Sequence, residues 1–353
     1  MTVVNARARA GRDHARMSLE LVCPAGTLPA LRAAVDHGAD AVYIGFRGAT
    51  NARNFPGLNF GAAEAEAGIA YAHERGARVF VALNVYPSPA NWPLATATID
   101  CAARLGADAL ILADPGLLRY AADHHPTLRL HLSVQGSATN WRALELYRRE
   151  FGIQRAVLPR VLSVAQVSRL IGRTAVEIEV FGFGSLCVMV EGRCALSSYA
   201  TGHSPNSQGV CSPAHAVRWE ETPDGRQSRL NGILIDRYAP GEAAGYPTLC
   251  KGRFRVNDAV FHALEEPTSL NALDVLPSLA ACGVKAIKVE GRQRSPAYVG
   301  EVTRLLRRAL DLCADSRRGA TGDWTPPPDL LAALDALAEG RTHTLGALHR
   351  PWQ

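Results

Sequence analysis

Eight short apolar runs recur along the chain, most of them separated by a longer amphipathic stretch, and this alternation limits the fold more than any other feature. The runs are Leu19–Cys23, Ala41–Gly45, Arg78–Leu83, Ala109–Ala113, Arg129–Val134, Arg155–Leu158, Glu177–Phe183 and Ala286–Glu290. Each has the length and apolar content of a strand buried on both faces. Between them, Leu28–His37, Ala62–Arg75, Trp92–Leu105, Leu117–His124, Trp141–Phe151 and Ala165–Leu170 carry the spacing of helices with one apolar stripe. Several helices meet a glycine stop before the next strand, as in His37-Gly38-Ala39-Asp40, Arg75-Gly76 and Leu105-Gly106-Ala107-Asp108. Strand, helix and strand at intervals of roughly 20 to 37 residues imply parallel pairing. Eight such units predict an α/β fold of the (β/α)8 TIM-barrel type, with an open doubly wound sheet as the alternative. No G-x-G-x-x-G or Walker sequence follows the first strand, which weakens a nucleotide-binding reading.

The period breaks once. About a hundred residues, 184–284, lie between the seventh and eighth strands, where a barrel needs only a short loop and a helix. The expected organisation is therefore a disordered basic extension over 1–17, barrel over 18–183, an insertion over 184–284, barrel over 285–324 and a C-terminal tail over 325–353. Within the insertion, Val217–Glu221 and Ser228–Arg237 flank Thr-Pro-Asp-Gly and read as a hairpin. Asn271–Ala281 reads as the seventh helix, Ala297–Cys313 as the eighth and Leu330–Leu337 as a helix of the tail. Barrel chemistry sits at the C-terminal ends of the strands, so an insertion after strand seven projects beside the expected active site.

Four of the eight cysteines fall in that insertion or at its start: Cys187, Cys194, Cys211 and Cys250, within 64 residues rich in Gly, Ser, Pro and Asn. Thiolates on backbone this pliant suit a zinc ion or an iron–sulfur cluster, although the spacing lacks paired C-x2-C knuckles and scattered free thiols stay open. Cys23, Cys101, Cys282 and Cys313 lie in strand, helix or turn patterns and read as small buried hydrophobes. No secretory apolar segment opens the chain, so a cytoplasmic address with reduced or metal-bound thiols is expected.

Composition excludes some classes. No apolar run is long enough to span a bilayer, which needs about 18 residues. Arg7, Arg9, Arg12 and Arg16 against Asp13 give the head +3 of the chain's net +5, leaving a nearly balanced body. A balanced body makes no case for a nucleic-acid partner.

The segment from Glu179 to Ser197 resembles the signature of the peptidase U32 family. Ser197–Asn206, Ala243–Arg253, Ala263–Asn271 and Lys288–Tyr298, with Leu21–Gly26, Asp40–Gly45 and Thr50–Arg53, resemble its ubiquinone-biosynthesis branch, and the likeness runs from about Leu19 to Gln353. That resemblance implies a [4Fe–4S] cluster held by Cys187, Cys194, Cys211 and Cys250. It implies a heterodimer with a second U32 protein of UbiV type, and hydroxylation of the aromatic ring of a ubiquinone precursor without molecular oxygen. It further implies prephenate as hydroxyl donor. Four cysteine ligands occupy every iron of such a cluster, which points to electron transfer or scaffolding rather than Lewis-acid chemistry. Arg193, Arg218, Lys251 and Arg253 lie near those cysteines in sequence and are candidate cations for the cluster's negative charge.

A dicarboxylate donor calls for arginines at the barrel mouth. Arg292 and Arg160 are the first candidates, with Glu290 beside them; Arg294 follows strand eight as well, and Arg53 is a weaker candidate after strand two. The plainer alternative for each is a structural salt bridge around the rim. Asn84 and Gln135 are candidate neutral donors. His131 reads as a wall histidine, His124-His125 as surface and Asp114-Pro-Gly as a turn. Two other functions stay open: a U32-type peptidase, which lacks any G-x-S-x-G or H-E-x-x-H sequence here, and a non-catalytic electron-transfer or structural partner of the hydroxylase.

Overall fold

The computed structural model describes residues 19–54, 57–205, 211–242, 244–316 and 324–349. The expected basic extension over 1–17 lies outside them. Eight parallel strands close a barrel: β1 (Glu20–Pro24), β2 (Ala41–Ile44), β3 (Arg78–Leu83), β4 (Ala109–Leu112), β5 (Arg129–Leu132), β6 (Arg155–Val157), β7 (Glu177–Ser185) and, after the insertion, β14 (Ala286–Val289). Closure comes from β14, which pairs in parallel with both β1 and β7. The alternation of side chains explains why the strands read as continuous apolar runs. Val42, Ile44, Val79, Val81, Leu110, Leu112, Ile287 and Val289 face the helices in the main core. Val22, Ala41, Tyr43, Phe80, Ala82, Ala109, Ile111 and Ala286 form a separate cluster inside the barrel.

The outer helices begin where local chemistry supplies caps. They are α1 (Leu28–Asp36), α2 (Ala62–Glu74), α3 (Trp92–Arg104), α4 (Pro115–His124), α5 (Trp141–Phe151) and α6 (Val164–Ile171). Thr27, Asp114, Asn140 and Ser163 each accept a hydrogen bond from a first-turn amide, and Ser163 with Gln166 completes a capping box. Gly38, Gly76 and Gly106 take positive φ at the predicted stops.

The insertion departs from its sequence reading in two places. After α7 (Leu196–Thr201) come β8 (Val217–Thr222), β9 (Gly225–Leu230) and β10 (Ile233–Tyr238), an antiparallel sheet of three strands rather than a two-strand hairpin. The run Ser228–Arg237 splits at Asn231-Gly232, both at positive φ, the requirement of a tight turn. A small core of Ala200, Ala216, Leu230 and Ile235 holds this sheet to α7. A hairpin of β11 (Phe254–Val256) and β12 (Ala259–Phe261) follows, then β13 (Ser269–Asn271). The helix expected over Asn271–Ala281 is shortened to α8 (Leu276–Ala281), because Pro277 starts the helix and Asn271 instead pairs antiparallel with the extended end of β7.

The long α9 (Pro296–Ser316) packs on α1 and β1, and α10 (Pro328–Leu337) packs on α9. Beyond α10, β15 (His343–Thr344) pairs with β13, so the tail returns to the insertion. Among the described residues no helix is long and apolar enough to cross a membrane.

Candidate functional site

Residues leaving the C-terminal ends of the strands enclose a pocket of about 80 Å³ at the barrel mouth. Tyr43 and Phe181 supply its aromatic wall, Asn84 and Gln135 its neutral polar groups, and Arg53, Arg160, Lys288, Glu290 and Arg292 its charges. A second cavity, of about 170 Å³, opens beside it and is lined by all four insertion cysteines. The two share a wall built from Arg53, Gln135, Arg160, Glu191, Glu290 and Gln293.

Local backbone chemistry brings the cysteines to this place. Cys187 follows β7, Cys194 precedes α7, and Cys250 sits in a 3-10 turn, Leu249–Lys251. The loop between the first two rests on the β5 loop: Ser137 Oγ donates to Glu191 O at 2.7 Å. Gly192, at φ +87, would place a Cβ 2.1 Å from Gln135 O, so only glycine permits this approach. Burial pushes the Cys187 and Cys250 thiols up to about 12 and raises Cys211 as well. Arg160 beside Cys187 and Arg53 beside Cys211 pull the other way, toward thiolate.

Four thiols on one cavity are a donor set that could hold a metal centre. Zinc at Zn–S of about 2.3 Å would draw its sulfurs to roughly 3.8 Å of one another. Among the described residues no three His, Cys, Asp or Glu side chains form such a single-ion site. Cys187, Cys194, Cys211 and Cys250 are the residues that could hold an iron–sulfur core, and Arg53 and Arg160 on the same wall would offset its negative charge. Among the described residues the buried Oε1 of Gln135 has no hydrogen-bond partner, which leaves a polar atom on the shared wall.

An ion-pair chain runs along that wall. Arg53 Nη2 lies 3.2 Å from Glu290 Oε1, Glu290 Oε2 lies 2.5 Å from Arg160 Nη1, and Arg160 Nε lies 2.7 Å from Glu191 Oε1. Arg160 also donates to Ser185 O and stacks 4.0 Å over the Phe181 ring. Burial alone would raise the Glu290 carboxyl, but Arg160 and Arg53 outweigh it and hold the group down to about 2. Glu191 is raised by burial against the pull of Arg160. Arg292 differs from both other arginines. Its one hydrogen bond among the described residues is Nη1 to Asn51 Oδ1 at 3.2 Å, no carboxylate pairs with it, and burial lowers it to about 10.

The structure therefore places Arg292, Arg160, Glu290, Arg53, Asn84 and Gln135 on one pocket. Arg160 is committed to Glu191, Glu290 and Ser185, which leaves Arg292 as the arginine open to an anion. Arg294 is exposed and packs its guanidinium over Tyr298. Arg193 and Arg218 are exposed and do not line the cysteine cavity; Arg253 pairs with Asp236 and Glu242. Lys251 does line it, with its ammonium 2.5 Å from Glu339 Oε2. His131 lies inside the barrel edge-on to Phe80, with neither ring nitrogen bonded among the described residues, and burial, with Arg155 and other cations near, drives it well below its ordinary value. His124 stacks on Tyr120 and His125 pairs with Asp100, both on the helical ring, while Asp114 caps α4. Cys23 and Cys313 are buried, whereas Cys101 and Cys282 are half-buried on the outer layer. Lys288, Glu191 and Tyr43 were missing from the sequence reading. The period of β14 points Lys288 inward with Ala286, and that alternation was the available signal.

The profile of peptidase family U32 matches residues 26–346. The chain is 33% identical to "tRNA hydroxylation protein P" of Escherichia coli, over 94% of this chain and 74% of that protein. It is 31% identical to the "23S rRNA 5-hydroxycytidine C2501 synthase" of Escherichia coli, over 85% of this chain and 40% of that enzyme. It is 27% identical to a "Collagenase" of Porphyromonas gingivalis, over 86% and 69%. Among solved structures, the U32 peptidase Mk0906 aligns with a TM-score of 0.41 at 17% identity, over 49% of this chain and 72% of that one. On the profile match and the similarity to "tRNA hydroxylation protein P", this chain belongs to peptidase family U32.

Proposed function

We propose that this chain is a UbiU-like hydroxylase subunit in which Cys187, Cys194, Cys211 and Cys250 hold a [4Fe–4S] cluster beside a barrel pocket for an anionic hydroxyl donor. The observation that carries this reading is the common wall between the thiol cavity and the barrel pocket. A redox group on one side and a substrate on the other are then separated by a few side chains. Relatives named for tRNA and rRNA hydroxylation support the reaction class. The cluster supplies electron transfer; the chain's own residues do the rest. Arg292 binds a carboxylate of the donor, prephenate in this reading, while Arg160 and Glu290 hold the wall and exclude bulk water. The acceptor is the aromatic ring of a ubiquinone precursor, and a UbiV-like U32 protein completes a heterodimer.

Anaerobic purification followed by iron and sulfide analysis tests the centre. Wild type should carry iron and inorganic sulfide with broad visible absorbance, and Cys→Ala at any of the four positions should remove most of both. Iron content unchanged in Cys211→Ala would strike that residue from the set. Turnover of ring-labelled precursor with donor, by each subunit alone and by the mixed pair, separates a catalytic subunit from a structural partner.

The peptidase reading has one specific observation behind it: Ser185 Oγ lies 3.3 Å from Lys251 Nζ, the pairing of a Ser–Lys dyad. Lys251 is already engaged by Glu339 and the Thr268 carbonyl, and among the described residues no histidine lines either cavity. Failure to cleave a casein or gelatin panel, in protein that retains iron, removes this alternative.

A further inference from the structure

The floor of the barrel pocket carries an amine that the hydroxylation reading does not use. Lys288 stands on β14 with only 5% of its surface exposed, its Nζ 2.8 Å from Glu179 Oε1 and 3.8 Å from the centroid of the Tyr43 ring. Arg292, the guanidinium without a carboxylate partner, lies 5.7 Å from the same ring centroid. The phenol of Tyr43 already donates to Val289 O at 2.9 Å, so the ring acts as a wall against which both cations lie. A buried lysine whose only task was to neutralise Glu179 would not need to border a ligand pocket, and Arg155 Nη1 also reaches Glu179, at 3.4 Å. An amine and an unpaired guanidinium on one small pocket match a carbonyl next to a carboxylate.

We propose that Lys288 forms an imine with a small keto acid whose carboxylate rests on Arg292. This deepens the reading of the barrel pocket as the donor site and rests on it. The ammonium of Lys288 passes one proton to Glu179 Oε1, and the freed lone pair attacks the carbonyl carbon. A C–N bond forms as the C=O π pair moves to oxygen, giving a carbinolamine. Glu179 returns its proton to that oxygen, a second proton comes from the nitrogen, and water departs. The nitrogen keeps its third proton as its lone pair closes the C=N bond, so ammonium plus ketone yields protonated imine plus water, with no oxidant or reductant. Burial, opposed by Glu179, lowers the proton affinity of Lys288 and assists the first transfer.

The test is reductive trapping. Anaerobically purified full-length protein is mixed with pyruvate, phenylpyruvate or prephenate, reduced with sodium borohydride, and read by intact mass and peptide mapping. One reduced adduct per chain on the Lys288 peptide is expected. Lys288→Arg, which keeps a cation for Glu179 and is checked for folding by its melting curve, should show none. Arg292→Gln should reduce trapping at low keto acid by about tenfold. Thermal shift with the same acids, without borohydride, separates the outcomes. Binding without an adduct at Lys288, or equal trapping in Lys288→Arg, overturns the imine while the donor pocket stands. No binding by any of the acids overturns both.

Discussion

Arg160 and Arg292 reach the same pocket, yet one is spent and the other is available. Arg160 is tied to Glu191 and Glu290 in a nearly dry setting, its side chain 6% exposed. Among the described residues Arg292 has only Asn51 as a hydrogen-bond partner. Glu290 decides this division, since it holds Arg53 and Arg160 together. Replacing it by Gln leaves two arginines facing each other and should cost roughly 2–4 kcal/mol in chemical denaturation, discounted for its partial exposure. The acid limb gives an independent check. The folded-state value of Glu290 lies below the ordinary 4.5, at about 2, so its stabilisation is complete above pH 4.5 and disappears as pH falls toward 2. The difference in unfolding free energy between wild type and Glu290→Gln should shrink across that window. The candidate residues on loops after strands were legible because their chain positions mark the barrel mouth. Lys288 and Glu191 were not: one looks like a break in an apolar strand, the other like a charge between two cysteines. Only a neighbour brought from elsewhere in the chain gives either a role, here Glu179 and Arg160.

At the scale of elements, strand periodicity and glycine stops made the barrel readable, and the insertion was harder. Asn231-Gly232 is a strong hairpin signal that lies inside a run otherwise uniform in strand character. The short β13 is invisible locally because its partner, the end of β7, is some eighty residues away. That pairing matters to function: it returns the chain from the insertion while β7 delivers Cys187 to the cavity. Gly192 anchors the other end of the cysteine loop. Gly192→Ala adds a strained φ and a contact of 2.1 Å with Gln135 O. With the proposed cluster in place, the expected outcome is loss of most of its iron, measured by iron and sulfide analysis, with a melting temperature close to wild type because the barrel core is untouched.

The whole molecule separates stability from chemistry along the barrel axis. At the N-terminal ends of the strands, Arg155, 1% exposed, pairs with Glu20, Glu177 and Glu179. At the other end lie the pocket, the ion-pair chain and the thiols, which is the usual division in such barrels. Arg155→Met should therefore lower thermal stability, costing roughly 1–3 kcal/mol, because Glu20, Glu177 and Glu179 lose a shared cation but keep Arg78, Arg129 and Lys288, while a folded variant at low temperature should retain the iron of the proposed cluster. Equal loss of iron and stability would show that the two ends are not independent. The C-terminal segment is part of this unit, because β15 extends the sheet from β13 and Glu339 holds Lys251 at the cysteine cavity.

Strand length, apolar alternation and glycine stops act over a few residues, so the sequence by itself determined the barrel, its eight-fold count and the point where the insertion leaves it. It also determined that four thiols would issue from the catalytic end. Which cations are neutralised and which stay open was decided by the tertiary structure. Burial makes each charge depend on partners within a few ångströms, and those partners come from strands and loops distant in the chain.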